Sequence, residues 1–384
     1  MNLITLNKEY SLLLKDTVTE YLNPNYIYLP VNDDKLLINP KDYIYKGKEI
    51  LKNKYSPISG RIVGLKNLTD DKFLVVENDF KEKLENKVSL RKNLNKLNKE
   101  QLLELVKNFD LKLYEKLNCN FSKIIINCIE EQLYVGNYMF LVKEYSNELL
   151  EILNNISNIL ELKEITIIVK DTDYNIIDYL NNIVGIYPNI NIKFLPNKYL
   201  ISEKSILCKY LNINEHFIYL NIMELYNLYN FLKRKRIVED KFLTITGNAI
   251  ENPQVFKCKM YTKLDDIITN FIKFKSENYV IIVNNLLSNH FCDAKELIVT
   301  DDIDSIFIMK KREYKEKKCI LCGKCNDICP VKIKVSNLIN GKNCDYEDCI
   351  KCGLCNYICP SYININKYLE GGKNEWKLFT RKRE

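Results

Sequence analysis

Over the first eighty residues the apolar positions come in short runs broken by Asn, Asp, Pro and Gly, the texture of a β-rich module. IYLP at 27–30, KLLI at 35–38, YIYKGKEIL at 43–51 and SPISGRIVGL at 56–65 read as strands joined by turns, with Gly47 and Gly60 where hairpins need positive φ. From Glu100 the rhythm becomes helix, strand, helix, strand, which predicts a parallel sheet covered by helices. Strands are expected at 123–128, 164–170, 191–196 and 216–222. Between the first two, Leu149, Ile152, Leu153, Ile156, Ile159 and Leu160 recur at helical spacing; shorter helices are expected at 173–184 and 202–212, and MELYNLYNFLKR closes the layer.

Residues 242–268 return to alternating strands, with a turn at Gly247–Asn248 and a helix starting at Leu264. YVIIV and SIFIM follow, and a charged bridge at 310–318 leads into a Cys-dense tail. The expected fold class is therefore α/β multidomain. Its units are a β barrel-sandwich hybrid (lipoyl-like) module at 1–99, a Rossmann-like α/β domain at 100–240 and a small β-grasp insert at 241–275. A returning β segment at 276–312 and a ferredoxin-type domain at 313–384 complete it.

Composition narrows the chemistry. The 384 residues include 14 Cys but only 2 His, His216 and His290, far apart in the chain, so sites needing several imidazoles are excluded. The N-terminal stretch is interrupted by Lys8, Glu9, Lys15 and Asp16, unlike a signal peptide, and no long uncharged apolar run offers a membrane span. The thiols are accordingly expected in a reducing cytosol, where many Cys mean metal or redox work. The net charge of +7 is dispersed among 50 acids, and the short basic runs at 233–236 and 381–383 read as solvated helix or tail ends, so no nucleic-acid partner is expected.

The thiols are ordered. CILCGKCNDICP at 319–330 and CIKCGLCNYICP at 349–360 are both C-x2-C-x2-C-x3-C-P, the bacterial ferredoxin run in which three Cys hold one [4Fe-4S] cluster and the fourth reaches the other. The spacing assigns Cys319, Cys322, Cys325 and Cys359 to one cluster, and Cys349, Cys352, Cys355 and Cys329 to the second. Gly323 and Gly353 let the loop backbone approach the inorganic sulfurs. Structural zinc favours separated C-x2-C pairs and fits this run poorly. Cys119, Cys128, Cys208, Cys258 and Cys292 read as small core residues, while Cys344, five positions before Cys349, is left open.

Other chemistry is missing. A phosphate-binding glycine turn is expected of a flavin or nicotinamide site, yet between Gly64 and Gly247 only Gly136 and Gly185 occur, each alone. FMN and NADH are therefore not expected. Neither His belongs to a nucleophilic triad, and no catalytic residue is assigned. Glu130 and Glu131 follow the first strand of the α/β layer, where such sheets bind ligands, but read as a solvated loop. The N-terminal YKGKEI and SPISGRIVG have the look of a lipoyl-like hairpin fold without a carrier motif.

These blocks, in this order, resemble the RnfC family, a component of the Rnf electron-transport complex. The resemblance rests on CILCGKCNDICP with CIKCGLCNYICPSYININKYL, on FLTITGNAIENPQVFKCKMYTKLDDII, which is similar to the family's β-grasp (SLBB) insert, and on IYLPVNDDKLLINPKDYIYKGKEILKNKYSPISGRIVG. LPNKYLISEKSILCKYL is similar to the mid-domain segment. Where flavin-bearing members carry a Gly-rich loop, this chain has LVKNFDLKLYEKLNCNF, and their Glu-Cys-Glu-Pro-Tyr segment has become Glu130 to Tyr134. The resemblance implies an electron-transfer subunit passing single electrons through two [4Fe-4S] clusters, cytoplasmic and peripheral on the cytoplasmic face of the membrane. Its partners would be a membrane-bound Rnf-like complex or a soluble reductase such as an amino-acid reductase. The alternatives are a flavin-dependent NADH-oxidising subunit with an atypical pocket and a scaffold whose clusters are structural only.

Overall fold

The computed structural model describes residues 14–31, 42–51, 54–68, 71–85, 94–213, 216–234, 239–288, 291–311 and 315–369. The strand expected at 35–38, His290 and the basic run at 381–383 lie outside them.

After β1 (Thr19–Tyr21), strands β2 (Tyr26–Pro30), β3 (Tyr43–Ile44), β4 (Glu49–Leu51), β5 (Lys54–Tyr55), β6 (Gly60–Leu68) and β7 (Asp71–Asn78) form the first block. An antiparallel sheet runs β2-β7-β6-β3, and β4 and β5 make a separate hairpin. Alternation buries Ile27, Leu29, Ile44, Ile62 and Val76 in one core, which Met260 and Tyr261 join from far along the chain. Gly47 has the expected φ of 82°. Gly60 does not lie in the left-handed region. It is required for a different reason: a Cβ there would stand 1.8 Å from the Glu77 carbonyl oxygen across the ladder.

The middle block holds α1 (Lys99–Phe109), α2 (Leu111–Leu117), β8 (Lys123–Asn127), α3 (Asn137–Ile159), β9 (Glu164–Lys170), α4 (Tyr174–Val184), β10 (Ile190–Leu195), α5 (Lys204–Leu211), β11 (Ile218–Asn221) and α6 (Ile222–Leu232). Its sheet is wholly parallel, in the order β10-β9-β8-β11. Both faces are covered, which is why β8 reads as an unbroken apolar run: Ile124 and Ile126 face one core, Ile125 the other. A capping box sharpens the passage from β11 to α6, with Asn221 Oδ1 accepting from Glu224 N at 2.9 Å and the Glu224 carboxylate accepting from Asn221 N at 3.0 Å.

A third sheet is built from β12 (Asp240–Thr246), β13 (Gln254–Lys259), β14 (Tyr279–Val283) and β15 (Ser305–Lys310), with α7 (Leu264–Phe271) between β13 and β14. Its order is β1-β13-β12-β15-β14. The boundary expected between 241–275 and 276–312 therefore cuts through one sheet, and β1, expected in the N-terminal module, is its edge strand. Long-range pairing such as Thr244 with Ser305 overrides the local pattern that suggested separate units. Lys46 of the first block and Lys259 of β13 meet the buried Glu239 at 2.9 and 3.4 Å, an ion pair network at the junction of the two blocks.

The described residues of the tail carry four short helices, α8 (Lys324–Ile328), α9 (Val335–Ile339), α10 (Leu354–Ile358) and α11 (Asn366–Leu369), around a small core of Ile333, Val335, Ile363 and Ile365.

Candidate metal centre

The two Cys runs fold as copies offset by thirty residues. Leu321 and Lys351 both adopt left-handed backbone, with φ of 56° and 51°, and so do Gly323 and Gly353, at 75° and 77°. Lys332 and Tyr362 repeat the conformation after each run, at 62° and 53°. These inversions wrap each loop back before the helix that carries its third Cys, α8 or α10. The glycines thus sit where positive φ is needed, but they are not equivalent. Gly323 has open space about it, whereas a Cβ on Gly353 would stand 2.6 Å from Leu287 Cβ.

Cys329, the fourth Cys of the first run, stands beside the second run. Burial raises the pKa of Cys349, Cys352 and Cys355, and the charge of Cys329 from the other run adds to the rise at all three. Cys352 is pushed up to about 11 and Cys355 to about 12, with backbone N–H groups of Leu354 and Asn356 partly offsetting the effect. A cavity is lined by the same four residues, Cys329, Cys349, Cys352 and Cys355, with Val331, Ile333, Val335 and Leu354 as its apolar wall. The Ile333 N–H donates to Cys329 Sγ at 3.3 Å.

In the first run, burial raises the Cys325 thiol, with Cys319 and Cys322 contributing through their charge. Two residues beyond Cys359, Ser361 is tied to the start of the first run, its Oγ donating to the Lys318 carbonyl at 3.1 Å and its carbonyl accepting from Lys317 N at 2.9 Å. Among the described residues no three His, Cys, Asp or Glu side chains converge as a single ion would need.

The sequence reading missed the residues that seat this unit. The Tyr199 hydroxyl donates to the Cys352 carbonyl at 3.0 Å, and Asn285 Nδ2 to the Lys351 carbonyl at 3.0 Å. Asn356 Nδ2 donates to the Leu287 carbonyl at 3.2 Å while its Oδ1 accepts from Ile365 N at 2.8 Å. Asn326, its counterpart, turns inward instead, donating to Ser336 Oγ and accepting from Ser336 N, both at 2.9 Å. The signal was available: each run places Asn directly after its third Cys. Nothing local marks Tyr199 or Asn285.

The remaining candidates fall elsewhere. Cys128 and Cys258 are buried as expected, Cys208 and Cys292 pack at core margins, and Cys119 belongs to no core, its Sγ donating to the Glu115 carbonyl. Cys344 lies within the tail but donates to the Lys334 carbonyl at 3.3 Å. His216 stacks on Phe121. Lys233 pairs with Glu151 at 2.7 Å, and Arg234 covers the Tyr145 and Tyr229 rings.

Glu130 is not the solvated loop residue expected. A margin of it reaches the surface, but its carboxyl is enclosed by protein, and burial pushes its pKa up to about 8. It accepts a hydrogen bond of 2.5 Å from Tyr138 N in the first turn of α3. The Gly136 N–H at the same helix end is taken by Thr244 Oγ1 at 3.1 Å.

Residues 311–375 match the 4Fe-4S dicluster domain family. The chain is 27% identical over 101 residues to the RnfC subunit of the Na(+)-translocating ferredoxin:NAD(+) oxidoreductase complex of Acetobacterium woodii, a stretch covering 26% of this chain and 23% of that protein. Crystal structures of an NAD+-reducing [NiFe]-hydrogenase are similar at TM-scores of 0.47 in the air-oxidized state and 0.46 in the H2-reduced state. Sequence identity there is 10% and 9%, and coverage is 56% and 57% of this chain against 47% and 48% of theirs. The chain thus matches about a quarter of the curated relative's length and about half of the hydrogenase chains'. With its paired Cys runs and its likeness to RnfC over this stretch, the chain is a divergent RnfC-like protein carrying a 4Fe-4S dicluster domain.

Proposed function

We propose that the tail holds two [4Fe-4S] clusters, one on Cys319, Cys322, Cys325 and Cys359 and the other on Cys349, Cys352, Cys355 and Cys329, and that the chain relays single electrons within a larger redox complex. The observation that carries this reading is the cavity into which Cys329 projects beside the three Cys of the other run. Beside Cys329, the three thiols of Cys349, Cys352 and Cys355, raised by burial and by one another's charge, are costly to ionise together, and an iron cluster supplies the positive charge that stabilises them as thiolates. A cube spreads its four thiolate ligands over separate irons. When bound, the clusters supply one-electron redox chemistry.

The protein's own part is to hold and shield. Ile333 N–H and the backbone amides of the second run direct donors at sulfur, which favours the thiolates, while Val331, Ile333, Val335 and Leu354 exclude water. We read the remaining blocks as a barrel-sandwich module, a Rossmann-like layer and an SLBB-type sheet that carry this relay. FMN and NADH are not part of the reading. In support, the N–H groups of Gly136 and Tyr138, at the sheet edge where a phosphate would lie, already serve Thr244 and Glu130. The chain would work on the cytoplasmic side, in a membrane-bound Rnf-like assembly or with a soluble reductase; no helix among the described residues is long and apolar enough to cross a membrane.

Anaerobic purification with iron, sulfide and flavin assay and EPR after dithionite reduction tests this. About eight iron per chain, reducible and without flavin, is expected for two cubes. The pairing is read from double variants: Cys329→Ala with Cys349→Ala should leave one cluster, and Cys329→Ala with Cys319→Ala should lose both. The reverse pattern would refute the crossed ligation. Bound FMN with NADH-reducible clusters would establish a flavin subunit, and redox-inert iron a scaffold.

A further inference from the structure

The two Cys runs share one backbone but meet different surroundings. The second is covered by Tyr199, Asn285 and Leu287. The loop of the first is bare: Ile320 and Leu321 are 65% and 71% exposed, and Cys322 is exposed too. Leu321 holds its left-handed φ there. That conformation is costly for a β-carbon-bearing residue, and among the described residues no burial offsets it. Tyr362, also half exposed, joins the same end, because Ser361 is bonded to Lys317 and Lys318.

Charge separates the copies in the same sense. Residues 315–334 carry Lys315, Lys317, Lys318, Lys324, Lys332 and Lys334, all exposed, against Glu316 and Asp327. Residues 342–369 are balanced, with Lys342, Lys351 and Lys367 against Asp345, Glu347 and Asp348. An apolar centre with a cationic rim is the complement of a small acidic surface.

We propose that the loop of the first Cys run, centred on Ile320 and Leu321 and rimmed by Lys315, Lys317, Lys318 and Lys324, docks a small acidic one-electron carrier protein. This rests on the electron-transfer reading above and gives the relay a direction in space. The second cluster site faces the body of the chain, and the first faces the exchanging partner. Apolar contact fixes register, and the lysines raise the rate of encounter and make it sensitive to salt. An anionic membrane surface would also attract lysines, but these exposed lysines flank the redox loop itself in the chain, the point a carrier has to reach.

The test is calorimetric titration of the anaerobically purified chain with an oxidised acidic plant-type [2Fe-2S] ferredoxin, at several salt concentrations. The dissociation constant should rise about tenfold or more between low and physiological salt, and again in the variant carrying Lys317→Glu and Lys318→Glu. Leu321→Asn, which suits the left-handed backbone and so spares the fold, should weaken binding about fivefold or more. Lys367→Glu on the balanced half should stay within about twofold. Salt-independent binding, unchanged affinity in the lysine variant, or binding to phosphatidylserine vesicles but not to ferredoxin would overturn the docking site. Iron and EPR on the same samples separate the two readings. Loaded, reducible clusters without this binding defeat the docking alone; a chain that takes up no iron defeats both.

Discussion

The hydroxyl of Tyr199, in the loop after β10, donates to the carbonyl oxygen of Cys352 at 3.0 Å, tying the α/β layer to the backbone of the second Cys run. With Asn285 on the Lys351 carbonyl and Asn356 on the Leu287 carbonyl, it makes the second loop part of the body. Tyr199→Phe should cost about 0.5–1.5 kcal/mol, the net worth of one such bond. Hydrogen exchange should speed up in peptides spanning 349–356 and stay unchanged in those spanning 319–326; equal change in both would contradict this seating.

Gly323 and Gly353 separate backbone strain from packing. Gly323→Ala meets open space and should lose about 1–2 kcal/mol from its left-handed φ alone. Gly353→Ala meets the same strain and would also press on Leu287, whose carbonyl oxygen is 2.7 Å from the added carbon. Thermal unfolding of the iron-loaded proteins should therefore show the larger loss at Gly353.

Glu130 makes stability depend on pH. Burial raises its folded-state pKa to about 8, above the roughly 4.3 of an unfolded chain, so the folded state binds the extra proton. The sign follows: its contribution is complete below about pH 4 and is lost as pH rises towards 8, with a limiting slope of about 1.4 kcal/mol per pH unit. Glu130→Gln keeps an acceptor for Tyr138 N and removes the titration. Urea unfolding at a series of pH values should show a flatter profile and a more stable variant at pH 8 and above.

Lys46, Glu239 and Lys259 form a buried network, with Lys46 Nζ 2.9 Å from the Glu239 carboxylate. Lys46→Met would leave much of that buried charge uncompensated. A loss of about 3–5 kcal/mol in denaturant unfolding is expected, with recovery when Glu239→Gln is added. An additive double variant would show that the two residues do not act as a pair.

Much of this architecture is legible in local pattern. β9 occupies the predicted 164–170, and β8, β10 and β11 lie within two residues of their expected spans, because strands buried on both faces need unbroken apolar runs. The helix expected around 149–160 begins at Asn137, since Tyr138, Phe140, Leu141 and Tyr145 extend the same buried face through less regular sequence. Gly60 marks where local pattern stops. A glycine was required there, but the requirement came from the opposite strand.

The sequence by itself determined which thiols are available and in what spacing, because ligand spacing is a property of a short loop. The φ inversions at Gly323 and Gly353 belong to the same local level. Only the tertiary structure decided that β1 and β15 belong to one sheet, and that Tyr199 covers one loop while Leu321 stands bare. Those relations join residues far apart in the chain. Their free energy comes from burial and hydrogen bonding that exist only once the blocks have met, so no local pattern records them.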